Sequence, residues 1–160
     1  MESIRERLGR TSCACRKCQL CCQHMPGMLI PEDLPHFAPD DLRASPGALV
    51  VLEDGRPRRI RTITPAARDN GTCIFFRDGR CAVHELSPAG CACTDMHADA
   101  RQADRVSQTL LSAIMADWEA GGPYSELWGK LKPLETTVEE RREALATAIA
   151  KHERKRRNRR

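Results

Sequence analysis

The second half of the chain has an amphipathic helical pattern. A helix that begins near Asp99 would end at the Gly121-Gly122-Pro123 segment, because glycine and proline interrupt helices. Its apolar face is formed by Val106, Leu110, Ala113, Ile114 and Trp118. This spacing predicts a long helix packed on one side against a core.

Two further helices are predicted after this stop. The first is short and covers residues 124–131. The second begins at Thr137, whose hydroxyl forms a capping-box pattern with Glu140. Its apolar seam consists of Val138, Leu145 and Ile149. The C-terminal half of the chain is therefore predicted to be helical.

The first half has the pattern of strands and turns. Residues 48–53 and 58–64 flank Asp54-Gly55, and residues 73–76 and 81–85 flank Asp78-Gly79, which predicts two β-hairpins. Four prolines between residues 26 and 39 exclude a long helix there and leave one or two helical turns from Glu32. The predicted fold class is α+β, with two short β-hairpins and a helical C-terminal half.

The loop of the second hairpin decides whether Cys73 and Cys81 share a face. A two-residue turn at Asp78-Gly79 places the two thiols on opposite faces of the hairpin. A three-residue loop from Arg77 to Gly79, with a bulge at the glycine, pairs Phe75 with Cys81 and places both thiols on one face. The bulged loop is the preferred prediction because it allows a shared site.

Composition and charge narrow the class of protein. The chain has 160 residues, and its longest apolar stretches are too short to span a bilayer, which predicts one domain that is not in a membrane. The first ten residues contain no apolar core of the kind found in secretory signals, which predicts a cytoplasmic location. Residues 12–98 form the predicted cysteine-cluster region, 99–150 a helical region of the same domain, and 151–160 a basic tail with a net charge of +6.

Nine cysteines in a reducing compartment predict metal binding rather than a disulfide framework. Five of the nine lie between Cys13 and Cys22, too dense a cluster for buried free thiols or redox disulfides to be the preferred explanation. In the run Cys15-x2-Cys18-x2-Cys21-Cys22 a helix would place all four thiols within an arc of about 120°. A loop would place Cys15 and Cys18 in a zinc knuckle, so both local structures allow ligation.

This cysteine pattern resembles that of the YkgJ-type cysteine-cluster proteins, a family described as zinc- or iron-chelating. The resemblance rests on the run ending at Cys22, on Gly71-Thr-Cys-Ile-Phe-Phe-Arg-Asp-Gly-Arg-Cys-Ala-Val-His-Glu85 and on Pro88-Ala-Gly-Cys91. It implies a metal-ligand set of Cys15, Cys18, Cys21, Cys22, Cys73, Cys81 and Cys91. Cys13 and Cys93 are extras relative to the family, and Ser87-Pro88 stands where the family usually has Arg-Pro.

The resemblance implies an Fe–S cluster or zinc as cofactor and leaves the choice open. Some members are oxidoreductases, and the domain also occurs in a flagellin lysine methylase, so redox or group-transfer activity is one predicted function. The alternative is a zinc-stabilised binding module that contacts RNA or another acidic partner through the basic tail. The chain contains no radical S-adenosylmethionine motif, dinucleotide fingerprint, P-loop or nucleophile elbow. Among the histidines near cysteines, His84 is a better candidate ligand than His24 or His97.

A set of seven cysteine ligands predicts two metal centres. One is closed and has four thiolates, and the other is open and has three. Adjacent Cys21 and Cys22 are expected to diverge too far to bind one small ion. A single multi-iron cluster that uses four of the seven thiolates is the nearest alternative. Cys13 or Cys93 could also supply an eighth ligand and close both centres.

Overall fold

Six α-helices and two antiparallel hairpins make up the regular structure of the computed structural model, which describes residues 2–9, 16–94 and 97–160. The helices are α1 (Ile4–Leu8), α2 (Arg16–His24), α3 (Ala89–Ala92), α4 (Ala100–Ala120), α5 (Pro123–Trp128) and α6 (Val138–Asn158). The strands are β1 (Leu42–Val51), β2 (Pro57–Pro65), β3 (Phe76–Arg77) and β4 (Arg80–Cys81). Short 3₁₀ helices cover Pro31–His36, Pro39–Asp41 and His84–Leu86. The predicted α+β class, with two hairpins and a helical C-terminal half, is confirmed.

The first hairpin is longer than predicted because a bulge continues it past Pro46-Gly47. Ser45 pairs with Thr62 and Ala48 with Ile60, so the register shifts between these pairs. Gly47 has a φ of +83°, and a Cβ at this position would lie 1.6 Å from the carbonyl oxygen of Ile60. Only glycine fits, and the bulge keeps the strand continuous where the sequence pattern indicated a break.

The predicted loop of the second hairpin is wrong. Phe76 pairs with Cys81 and Arg77 with Arg80, so the loop is the two-residue turn Asp78-Gly79. Both turn residues have positive φ, 52° and 78°, which is the conformation that a tight hairpin of the right-handed twist requires. The paired region ends at Phe76, where the backbone N–H donates to the carbonyl of Cys73. Cys73 therefore lies outside the hairpin, and strand register does not determine which way its thiol points.

The helical half follows its capping signals closely. The Asp99 side chain accepts a hydrogen bond from the Gln102 N–H at 2.8 Å, and α4 ends at Gly121 in the left-handed conformation. Thr137 and Glu140 form the predicted capping box at the start of α6. The helix α5 ends at Trp128, three residues before the predicted boundary. In the described part of the chain, no helix combines the length and apolar character needed to cross a membrane.

The core lies where the first hairpin, α4 and α5 meet the segment that follows α2. Its buried members are Leu29, Ile30, Leu42, Ile60, Ile63, Ala89, Leu110, Leu111, Ile114 and Tyr124. The Tyr124 hydroxyl donates to the Leu29 carbonyl at 2.9 Å and accepts from the Ile63 N–H at 2.7 Å. Burial raises the pKa of Tyr124, so the hydroxyl stays neutral and joins β2 to this segment.

A fully buried carboxylate joins three separate segments. Asp33 Oδ1 accepts from Arg5 Nε of α1 at 2.9 Å, and Oδ2 accepts from the backbone N–H groups of Ile30 and Ala89 at 2.9 and 2.8 Å. Arg5 also donates to the carbonyl of Ser87. Asp33 therefore holds α1 and the first turn of α3 against the core.

Replacing this carboxylate should be strongly destabilising. In Asp33→Ala, two buried N–H groups and a half-buried guanidinium lose their acceptor, so the free energy of unfolding should fall by about 3–5 kcal/mol. Chemical denaturation measures the change, and Asp40→Ala at an exposed position is the control. Equal effects of the two substitutions would show that Asp33 does not hold these segments together.

The basic tail continues α6 and forms an ion pair with α2. Glu153 Oε1 lies 3.1 Å from Lys17 Nζ, and both side chains are partly exposed. Residues 154–160 are exposed. The tail therefore adds charge to the end of a packed helix and little apolar surface.

Deletion of residues 151–160 should leave the fold and the metal content unchanged. An exposed ion pair is worth about 0–1 kcal/mol, so the free energy of unfolding should fall by no more than that. Glu153→Gln separates the loss of the Lys17 pair from the loss of the remaining tail. A truncated protein that is largely unfolded would show that the tail contributes to the core.

Candidate metal centre

Helix α2 carries three of the predicted ligands. Cys18 and Cys22 are buried, and Cys21 is half-buried. The cysteine spacing allowed either a helix or a loop. Residues 16–24 form a helix, so the loop is excluded over this range. Cys15 and Cys13 lie outside the described residues.

Cys73 is joined to α2 by its backbone. Its N–H donates to the Cys22 carbonyl at 2.8 Å, which places the start of the second cysteine segment beside the end of the first. The Arg68 guanidinium donates to the carbonyls of Cys73, Ile74 and Phe76 at 2.8–2.9 Å. The backbone around Cys73 is thus held on one side by the main chain of α2 and on the other by the Arg68 side chain.

Cys91 is positioned by close packing of two backbone segments. The Gly90 N–H donates to the Met28 carbonyl, and the Gly27 N–H donates to Cys91 Sγ at 3.0 Å. A Cβ on Gly27 would lie 2.3 Å from the Cys91 nitrogen, and a Cβ on Gly90 would lie 2.5 Å from the Met28 nitrogen. Glycine is required at both positions for the segments to approach. An N–H donor to sulfur favours the thiolate, which is the metal-binding form.

Five thiols act on one another's pKa values, and we call them the thiol cluster: Cys21, Cys22, Cys73, Cys81 and Cys91. A hydrogen bond with Cys21 raises the pKa of Cys22 and lowers that of Cys21, and Cys81 and Cys91 raise that of Cys22 further. Burial, then Cys21 and Cys73, raises the pKa of Cys91. Burial raises the pKa of Cys73 to about 11, and the nearby Cys81 adds to this shift. These thiols therefore lie in one neighbourhood, where thiolates repel one another and a cation would stabilise them.

The donor set fits a soft metal. Thiolates are the preferred ligands of zinc and of iron in Fe–S clusters. Cys21 Sγ donates to the Cys18 carbonyl at 3.1 Å, as a protonated thiol does. Within residues 2–9, 16–94 and 97–160, no three histidine, cysteine or carboxylate side chains meet in an arrangement that would hold a metal ion. The fit rests on the chemistry and proximity of the donors.

A cavity of about 610 Å³ opens onto one side of the cysteine-bearing elements. It is lined by Cys18 and Cys22 of α2, by Cys81 of β4 and by His84. His84 is therefore the histidine placed beside several cysteines, whereas His24 lines a different cavity and His97 is exposed. A small molecule could reach the sulfur atoms from this side.

Comparison with known proteins places this arrangement in a family. Residues 14–110 match the family model described as "CxxCxxCC: Putative zinc- or iron-chelating domain". The chain belongs to this family. The match agrees with the resemblance seen in the cysteine spacing and with the predicted cofactor class of an Fe–S cluster or zinc. No curated protein and no solved structure matches the chain.

The family match covers only part of the fold. It includes α2, both hairpins and α3, and it ends at residue 110, within α4. The described cysteines all lie within the matched region, and α5 and α6 lie beyond it. The metal-binding character is thus a family property, and α6, which contacts α2, lies outside the matched residues.

Two glycines that shape the site were not among the residues predicted from the sequence. Gly27 and Gly90 bind no metal, yet their missing side chains let the backbone reach Cys91. Gly90 directly precedes Cys91, which was the available signal. Gly27 has no comparable signal, because the segment it packs against lies far along the chain.

A side chain at Gly90 should displace Cys91. Gly90→Ala should lower the free energy of unfolding by about 1–3 kcal/mol and reduce the metal content of purified protein, since the added methyl meets the backbone of Met28. Gly129→Ala is the matched control, because a Cβ there makes only an ordinary contact at 3.6 Å. Full metal content and wild-type stability in Gly90→Ala would contradict this description of the Cys91 site.

Proposed function

We propose that the chain binds an Fe–S cluster or zinc through Cys15, Cys18, Cys21, Cys22, Cys73, Cys81 and Cys91. The supporting observation is the thiol cluster, in which cysteines from α2, β4, α3 and the Cys73 segment influence one another's pKa values. Residues 12–98 would form the metal-binding region, with residues 99–150 packed alongside as part of the same domain. None of the seven described cysteines forms a disulfide, which suits a cytoplasmic location.

The contact between Cys21 and Cys22 favours one multinuclear centre over two separate sites. The division into four and three ligands assumed that these adjacent side chains diverge, but their thiols form a hydrogen bond. Thiols this close can bind neighbouring atoms of one cluster. A single centre also accounts for the mutual influence of Cys22, Cys81 and Cys91.

The cavity beside Cys18, Cys22 and Cys81 supports redox or group-transfer activity at this centre. A purely structural zinc site has four protein ligands and is closed, whereas a reactive site keeps a coordination position for water or substrate. The cavity gives access to such a position, and His84 in its wall could supply a nitrogen ligand or a proton. When bound, the metal would supply electron transfer or Lewis-acid polarisation.

The second candidate is a zinc-stabilised module that binds RNA or an acidic protein through the tail. The observation in its favour is the exposed end of α6, where seven of the last ten residues are basic. Such a patch attracts polyanions without sequence preference. Under this function the metal is colourless zinc, and deletion of residues 151–160 abolishes binding of RNA.

Metal and acid-labile sulfide content of anaerobically purified protein tests the proposal. A brown protein that contains iron and sulfide favours the Fe–S centre, and a colourless protein that contains only zinc favours the second candidate. We expect each of the seven cysteine-to-serine substitutions to lower the metal content, because each removes a thiolate ligand. Cys13→Ser and Cys93→Ser are the matched controls and should leave it intact.

The same substitution series can contradict the ligand set. If Cys13 or Cys93 proves as necessary as Cys18 or Cys81, the proposed set of seven ligands is wrong and the argument for an open site fails. Protein that binds no metal after anaerobic purification and reconstitution with iron, sulfide or zinc would refute the proposed function.

A further inference from the structure

A second cavity, of about 380 Å³, is lined by residues of α6, of the end of α2 and of the segment that leads to Cys73. It shares no lining residue with the cavity beside the thiols, and its volume is typical of small-molecule sites. Three arginines lie in its wall: Arg43 of β1, Arg68 between β2 and β3, and Arg141 of α6. In the described part of the chain, none of the three forms an ion pair with a carboxylate.

Arg141 is the buried member of the three. It is 6% exposed, whereas Arg43 is half-buried and Arg68 is exposed. An arginine is almost never this buried without a charged partner. Its Nε donates to Thr136 Oγ1 at 3.0 Å, but a hydroxyl carries no charge. Among the described residues, its terminal nitrogens Nη1 and Nη2 have no acceptor, so Arg141 presents a free pair of donors to the cavity.

The other two arginines are held in place by neutral acceptors. Arg43 Nη1 donates to the carbonyls of Asp40 and Leu42 at 2.9 and 2.8 Å. The Arg68 guanidinium donates to three carbonyls of the Cys73 segment. A carbonyl oxygen fixes the position of a guanidinium, which stays protonated. Both side chains therefore keep a fixed positive charge at the wall of the cavity.

The three carboxylates in the same wall do not neutralise Arg141. Glu140 Oε2 accepts a hydrogen bond from the Thr137 N–H in the capping box. Asp69, Glu135 and Glu140 are all exposed, and solvent screens an exposed charge far more than a buried one. The buried charge of this cavity is therefore positive, and its negative charges are those that water already solvates.

We propose that this cavity binds a small molecule with a carboxylate or phosphate group, which accepts hydrogen bonds from Nη1 and Nη2 of Arg141. Two parallel N–H donors match two oxygens of such a group, and hydrogen bonds between charged groups are about twice as strong as neutral ones. The bound anion gives the buried guanidinium the charged partner that it lacks in the described fold. No member of the thiol cluster lines the cavity, so the inference does not depend on the proposed metal-binding function.

The experiment measures binding of inorganic phosphate and of acetate to the full chain from the changes that each causes in the amide NMR spectrum. Both anions fit the arginine fork, and the tighter one identifies the chemical class of the ligand. Arg141→Met keeps an apolar stem without charge and should raise Kd about 10- to 100-fold, because it removes charged hydrogen bonds. Arg142→Gln, at an exposed position of the same helix, is the matched control and should leave Kd unchanged.

Two further variants test the site without depending on the methionine protein. Arg141→Lys keeps the charge but loses the paired donors, so it should bind more weakly than the wild type. Glu135→Gln leaves Arg141 intact and removes a negative charge from the wall. Because repulsion of the anion falls, Kd should decrease by about 1.5- to 5-fold, the size expected for an exposed charge.

Several outcomes would overturn the inference. They are the absence of saturable spectral changes with both anions at millimolar concentration, and equal Kd values for the wild type and Arg141→Met. Changes confined to residues 151–160 would also overturn it, since an exposed basic tail attracts anions without a built site. If Arg141→Met does not fold, Glu135→Gln decides, and an unchanged or higher Kd in that variant would show that the cavity is not an anion site.

Discussion

The buried carboxylate of Asp33 is the constraint on which the relative placement of the segments depends. It accepts hydrogen bonds from the side chain of Arg5, from the N–H of Ile30 and from the N–H of Ala89. These donors belong to α1, to the segment after α2 and to α3, which are far apart in sequence. Because a buried charge must keep its partners, the position of α3, and with it Cys91, is coupled to the core. The site inherits its geometry from this polar anchor more than from apolar packing.

Around this anchor the cysteine segments meet mainly through their backbones. The Cys73 N–H donates to the Cys22 carbonyl, and Gly27 and Gly90 allow two chains to pack with no side chain between them. These contacts fix the backbone of the cysteine segments. They also leave the centre dependent on metal for its final arrangement, because closely placed thiolates repel one another until a cation binds. Metal binding should therefore stabilise the fold as well as complete the site.

The parts of the fold that the sequence predicts are those determined by local interactions. Asp99, Gly121 and the Thr137–Glu140 capping box mark real helix boundaries, since capping groups act within one turn. The cysteine spacing allowed both a helix and a loop, and only the structure decides for a helix over residues 16–24. The hairpin register was predicted wrongly because the argument required Cys73 and Cys81 to share a strand face. In the structure the strands end at Phe76, and the chain brings Cys73 to the cluster by another route.

The features that sequence could not predict are long-range and polar. No local signal reveals the contact of Asp33 with Ala89 or that of Gly27 with Cys91, because these pairs lie 56 and 64 residues apart along the chain. Arg141 is the clearest case. The apolar seam of α6 contains Val138, Leu145 and Ile149, and a charged residue at position 141 would ordinarily point to solvent. In the structure Arg141 is 6% exposed, and its Nε donates to Thr136 Oγ1. This burial depends on how α6 packs against the rest of the fold, and the charge of the residue alone does not reveal it.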